Sequence, residues 1–159
     1  MSESCSGQYP VIVSACLAGE ACRYDGRSSP PGPVLELVRA GLCLAVCPEV
    51  LGGLPVPRIP CEIRGTHVVT AGGDDCTQAF RLGAQRALSA ALACGARCAV
   101  LKSRSPSCGA GSIYDGTFSR TLVPGNGLFA DALLQAGISV FTEETYPGLD
   151  ELRRAGLAD

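Results

Sequence analysis

The chemistry of this chain lies in its cysteines, ten in 159 residues, and three of them share a setting. Cys16, Cys47 and Cys108 each follow a short apolar run and precede a polar or turn-forming stretch. The clearest case is residues 98–118, Cys-Ala-Val-Leu-Lys-Ser-Arg-Ser-Pro-Ser-Cys-Gly-Ala-Gly-Ser-Ile-Tyr-Asp-Gly-Thr-Phe. Ala99, Val100 and Leu101 make a run too short for a helix, with the β-branched centre of a buried strand. Lys102, Ser103, Arg104 and Ser105 stand where that strand would end. Pro106 stops it, and Cys108 sits between Ser107 and the glycines Gly109 and Gly111. A thiol on a glycine-rich loop off a strand's carboxyl end, with cations and hydroxyls nearby, is a usual placement for an α/β reactive group. The competing reading is an ordinary loop with a buried cysteine, since free cysteine is among the most buried residue types.

Cys16, Cys47 and Cys108 are about 31 and 61 residues apart in sequence, so only a sheet can bring them together. Three soft thiolates without a histidine partner favour an iron–sulfur cluster over zinc, whose compact sites usually carry a close Cys-x-x-Cys pair. A cubane cluster on three cysteines keeps one iron without a protein ligand, as an open Lewis acid. Cys22 has two readings: a fourth ligand, which would close the cluster, or a structural thiol beside it; it is left outside the ligand set. Cys43, Cys94 and Cys98 lie in apolar or alanine-rich segments and read as small core residues. Cys61 and Cys76 have no clustered partner in sequence, and Cys5 lies near the N-terminus. His67, the only histidine, reads as a solvated turn residue.

The elements that must position these groups alternate along the chain. Strands are expected near residues 10–15, 42–46, 97–101 and 138–141. Helices are expected over 34–40, stopped by Gly41, from about 75 to 93, over 126–136, stopped by Gly137, and over 150–155. Residues 62–70 suggest a hairpin about Gly65, and 50–58 are too rich in glycine and proline for a regular element. The pattern is α/β: a single domain over 1–159, with its core at about 9–144, built on a mostly parallel open sheet flanked by helices, with a small β-hairpin insertion. Hydrophobic residues are 47% and aromatics 5%, with no tryptophan, so the core is built from Val, Leu, Ile and Ala.

A net charge of −2, with no basic run longer than Arg153-Arg154, offers no broad phosphate-binding face, and nucleic acid is not an expected partner. No apolar segment reaches the roughly 18 residues of a spanning helix, and the N-terminus lacks the order of a secretory signal. The expectation is a cytoplasmic protein without a membrane partner, in which so many cysteines point to metal binding or catalysis. The sequence sets no oligomeric state.

Three stretches in order carry a resemblance: Val-Ser-Ala-Cys-Leu-Ala-Gly-Glu-Ala-Cys-Arg-Tyr-Asp-Gly at 13–26, Cys-Pro-Glu-Val-Leu-Gly-Gly-Leu-Pro-Val-Pro-Arg at 47–58, and Lys-Ser-Arg-Ser-Pro-Ser-Cys-Gly at 102–109 with Ile-Tyr-Asp-Gly-Thr-Phe at 113–118. They resemble the domain of unknown function 523 family, whose characterised type is thiouracil desulfurase, over about residues 11–143. The resemblance implies a [4Fe-4S] cluster on Cys16, Cys47 and Cys108. Its open iron would take the sulfur of a thiolated pyrimidine and water would replace that sulfur without net redox. It further implies that Glu49 handles the water's proton and that Ser105 stands near the substrate.

Each residue also has a plainer reading. Glu49 is then a solvated loop acid, Ser105 a turn cap beside Pro106, and Arg23 and Asp25 a pair that holds loops. Two other functions compete: a cluster-binding or redox-sensing module that is no enzyme, and desulfuration of thiolated tRNA. Family members that act on tRNA carry an appended domain, so length and charge favour a small thiolated base such as 4-thiouracil.

Overall fold

The computed structural model describes residues 8–158. Its centre is β1 (Val11–Ser14), where Val11, Ile12 and Val13 are wholly buried. A strand covered on both faces needs apolar side chains on both, so it reads as a continuous run rather than an alternation. Strand β2 (Cys43–Val46) pairs with one edge of β1 and β5 (Cys98–Leu101) with the other, and β8 (Ser139–Thr142) pairs with β5, all in parallel. The order β2-β1-β5-β8 reverses direction between β1 and β5, which makes that boundary the switch point of a doubly wound sheet. The expected α/β fold is therefore present, and all four parallel strands lie within about one residue of their expected bounds.

Helices cover both faces. On one, Ala84, Ala87 and Ala91 of α3 (Thr77–Ala93) and Phe129, Ala130 and Leu133 of α4 (Leu128–Gln135) pack on Ile12, Ala99 and Leu101. On the other, Leu37 of α1 (Leu35–Arg39) and Leu152 of α5 (Leu149–Arg154) pack on Val11, Val13, Cys98 and Val100. The hairpin about Gly65 joins β3 (Cys61–Arg64) to β4 (His67–Thr70).

The structure departs from the sequence expectation at four points, each with a local cause. The short helix α2 (Pro48–Leu51) occupies part of the stretch read as irregular, because Pro48 sits at the start of a helix, where its missing N–H costs nothing. Helix α3 begins at Thr77 rather than at 75, since Asp75 bridges Val69 and the Cys76 N–H donates to the Val68 carbonyl at 2.7 Å. Helix α4 begins at Leu128 rather than at 126, because the residues before it serve the Cys108 loop. The Asn126 Oδ1 accepts from the Gly111 N–H at 2.9 Å, and the Gly127 N–H donates to the Gly109 carbonyl at 2.7 Å. A second hairpin, β6 (Ser112–Tyr114) with β7 (Leu122–Pro124), was not anticipated, because three-residue strands show no readable alternation.

Helices α2 and α3 meet backbone to backbone through two glycines. A Cβ on Gly83 would lie 1.9 Å from the Pro48 carbonyl oxygen, and one on Gly52 2.0 Å from that of Ala79. Gly83→Ala must push α2 outward, and overpacking of this kind costs about 1–3 kcal/mol. Thermal unfolding of the variant should show a Tm lower by several degrees, whereas an unchanged Tm would mean the helices part without strain.

Candidate active site

Beyond the carboxyl ends of β1, β2 and β5, at the switch point, opens a cavity of about 540 Å³. Strand β1 runs into a tight turn of 3₁₀ helix, Ala15–Ala18, which ends at Gly19 with φ +101° and turns Cys16 to the cavity. Cys47 directly follows β2 and is the residue before α2, so the strand end and the helix start together aim it. Cys108 comes from the loop after β5. There the Ser105 hydroxyl accepts from the Ser107 and Cys108 N–H groups, each at 3.1 Å, and the Gly109 N–H donates to the Ser105 carbonyl at 2.8 Å. Gly127 closes this loop from behind, where a Cβ would lie 2.4 Å from the Ser107 carbonyl carbon.

Cys16, Cys47 and Cys108 thus line one cavity, and Cys22, Glu49 and Ser105 line it with them. Cys76 and Cys94 lie outside the lining, and Cys5 falls outside the described residues. Among the described residues no three acidic, histidine or cysteine side chains close tightly enough to hold a single metal ion.

The thiols are electrostatically unequal. The Cys22 thiol hydrogen-bonds both Cys16 and Cys47, which holds those two below the ordinary thiol value and Cys22 itself far above it. Lys102 further favours the Cys16 thiolate, and Arg58 that of Cys47. Burial pushes Cys108 up, partly offset by a hydrogen bond from Ser14. Ser14 can make that bond because its oxygen already accepts from the Lys102 N–H at 2.9 Å, leaving its proton free. Ser29 Oγ and Ser107 Oγ are buried with no oxygen or nitrogen partner, and the Ser29 hydroxyl favours the Cys16 thiolate. Buried hydroxyls without such partners are rare, and here they flank two of the cysteines.

Glu49 shares the cavity with the thiols. Arg58 donates from Nε to Glu49 Oε1 at 2.8 Å, from Nη2 to the Cys22 carbonyl at 2.9 Å and from Nη1 to the Pro55 carbonyl at 3.1 Å. The Arg58 side chain is only 7% exposed, and it ties the carboxylate to the loop that carries Cys16 and Cys22. Glu49 is therefore no solvated loop acid, and its Oε2 is the oxygen without this bond. Ser105 is the turn cap that the plainer reading allowed and also a cavity wall: with its oxygen accepting two backbone bonds, its proton is free to donate. Lys102 is held at the rim by Glu143, Nζ to Oε2 at 2.7 Å, and Arg23 lies 3.9 Å from Asp25.

Three contacts were invisible in the sequence. Cys61 lines the cavity and its thiol meets that of Cys76, so these two do have partners; burial first, then Cys76, pushes Cys61 up to about 12. His67 finds Asp75 at 3.2 Å, with both side chains more than half exposed. Cys22 spans Cys16 and Cys47 because the turn at 19–29 folds back, with the Ser29 N–H donating to the Cys16 carbonyl at 3.0 Å.

A doubly wound sheet that gathers five thiols and an arginine-held carboxylate in one cavity belongs to an enzyme of the cysteine-rich, cofactor-using class. Comparison with known proteins makes this specific: the model of the 2-thiouracil desulfurase family matches residues 11–145, and the chain belongs to that family. An uncharacterized protein of Bacillus subtilis (strain 168), YbbK, is 40% identical over 143 residues, covering 84% of this chain and 95% of its own length. A solved structure of the [4Fe-4S]-dependent thiouracil desulfidase TudS is 47% identical and superimposes with a TM-score of 0.84, covering 93% of this chain and 97% of that one. The resemblance carried by the three motifs is thereby borne out.

The inequality of the thiols is open to measurement. Cys43 and Cys47 are both half-buried, but desolvation raises Cys43 while hydrogen bonding lowers Cys47. At neutral pH the cluster-free protein should be alkylated by iodoacetamide at Cys47 about tenfold faster than at Cys43, because the thiolate is the nucleophile. Peptide mass spectrometry reads the two rates, and equal rates would deny the Cys22 hydrogen bond.

Proposed function

We propose that the chain hydrolyses the C=S bond of a small thiolated pyrimidine such as 4-thiouracil, giving uracil and hydrogen sulfide, with a [4Fe-4S] cluster held by Cys16, Cys47 and Cys108. The observation that carries this reading is the convergence of those thiols and Glu49 on one cavity. The residues fit such a cluster. The donors are all thiols, they line one cavity, and the buried Ser29 and Ser107 hydroxyls beside them have no hydrogen-bonded oxygen or nitrogen. When bound, the cluster would supply an open, thiophilic Lewis-acid position suited to the substrate's sulfur.

This chain's own residues do the rest. Arg58 fixes Glu49 by its Oε1, so that Oε2 can take the proton of a water attacking the ring carbon that bears sulfur. The free proton of Ser105 is available to a ring nitrogen or carbonyl of the substrate. The overall change, thiouracil plus water to uracil plus hydrogen sulfide, moves no net electrons and needs no reductant. A reducing, cytoplasmic compartment suits cysteines that are unbridged among the described residues.

One observation favours a second reading. Cys22 touches both Cys16 and Cys47, and as a fourth ligand it would close the cluster and make the protein a storage or redox module. Its own variant decides between the two. With three ligands, Cys22→Ala keeps its iron on anaerobic reconstitution; with four, it loses iron much as Cys47→Ala or Cys108→Ala should in either case. Glu49→Ala should keep the cluster's visible absorption and lose about 10²-fold or more in turnover. Uracil and sulfide should form over many turnovers without added reductant; an intact cluster that yields neither product from any thiolated base would end the enzymatic reading.

A further inference from the structure

Among the described residues, three that are not glycine have a positive φ: Arg104 at 65°, Phe118 at 58° and Arg120 at 62°. All three line the cavity. Such backbone is unfavourable for residues with a Cβ and persists only where the surroundings impose it, most often at functional sites. Phe118 and Arg120 share the loop 115–121 at the tip of the β6–β7 hairpin.

That loop is held by β3 and by bonds of its own. Glu62 Oε1 in β3 accepts from the Gly116 N–H at 3.0 Å and the Phe118 N–H at 3.1 Å. Arg64 donates to the Gly116 carbonyl from Nε at 3.0 Å and Nη2 at 2.7 Å. Gly116, at φ +91°, lies so close to β3 that a Cβ would come within 2.8 Å of the Ile63 carbonyl oxygen. Inside the loop, the Asp115 N–H donates to the Thr121 carbonyl at 3.0 Å. The hydroxyls of Thr117, Ser119 and Thr121 form a chain at 2.6 and 2.7 Å.

What this rigid loop presents is a phenylalanine outside the core. Phe80 and Phe129 are 1% exposed or less and Phe141 packs on the second core cluster, while Phe118 belongs to neither cluster and stands half-buried at the cavity wall. A flat, sulfur-bearing heterocycle has a π-face that pairs with an aromatic ring in offset-stacked or edge-to-face geometry.

We propose that Phe118 is the aromatic platform on which the heterocyclic ring of the substrate rests, and that Glu62 is the positioning residue that holds it there. This rests on the reading of the site as a thiolated-pyrimidine hydrolase. Phe118 binds the ring without taking part in proton transfer, so its loss acts on affinity and not on the chemical step.

The test uses the reconstituted protein with 4-thiouracil as substrate and uracil as a non-reacting competitor. Phe118→Ala and Phe118→Leu should each raise KM and the uracil inhibition constant by about tenfold or more, with kcat much less affected. The leucine variant keeps apolar bulk without a ring, so its loss of affinity isolates stacking. Phe118→Tyr should regain most of the affinity, and Glu62→Ala, which removes the acceptor of the Gly116 and Phe118 N–H groups, should raise both constants in the same direction. Iron content and the visible spectrum should match the unaltered protein in every variant. Unchanged constants in Phe118→Ala, or a fall in kcat at constant KM, would overturn the platform while leaving the hydrolase reading intact. An unaltered, loaded protein that binds neither compound would overturn both.

Discussion

The site depends first on the burial of β1. With Val11, Ile12 and Val13 inaccessible and both edges hydrogen-bonded, this strand has one arrangement that satisfies its backbone and its side chains together. Each such side chain contributes about 1.5–3 kcal/mol on full burial. The register Ser14 to Val46 and Val13 to Val100 then sets three strand ends nearly level, so the chain leaves the sheet three times at one place. Chemistry can gather there at little cost to the core, which lies one layer below.

Above that layer the apolar forces give out and ionic hydrogen bonds take over. Arg58 joins α2 to the turn carrying Cys22, Glu143 holds both Lys102 and the Ser103 N–H after β5, and Glu62 holds the tip of the second hairpin. Each charged group ties together segments far apart in sequence, and each is at least partly shielded from water. Charge-assisted bonds of this kind are shorter and stronger than neutral ones, and losing one partner strands a desolvated charge. The loops at the cavity are thus tied at several points, and it is among such ties that the strained φ of Arg104, Phe118 and Arg120 is found.

Much of this was legible in the residues. The four parallel strands were visible as continuous apolar runs, because burial on both faces leaves no room for polar alternation. The positions of Cys16, Cys47 and Cys108 after three of those runs put them at the carboxyl ends of the strands. What was hidden is of another kind. Helix α2 hides because proline and glycine, which usually break helices, here open one and let it touch α3. The Cys22 and Cys61 contacts hide because they are made by turns, and a turn sets direction through backbone angles that composition does not encode. Arg58 could be quoted in a motif, but nothing in a one-dimensional string shows that it holds Glu49 and the Cys22 carbonyl at once.

The walls of the cavity differ in chemistry, and that difference argues for hydrolysis over storage. A storage or redox site needs ligands and a dry shell, and gains nothing from an acid within reach. Here a carboxylate is brought in against its desolvation cost, held by one oxygen on a nearly buried arginine, with its other oxygen free of that bond. A hydroxyl beside Cys108 has both backbone bonds on its oxygen, so its proton can only be spent elsewhere. A third wall carries an aromatic ring on a braced loop. Thiols able to hold a thiophilic cofactor, an acid with a free oxygen, a hydroxyl donor and a ring surface are the four features that replacing the sulfur of a flat heterocycle by oxygen would call on, and separate elements of the fold bring them to one space.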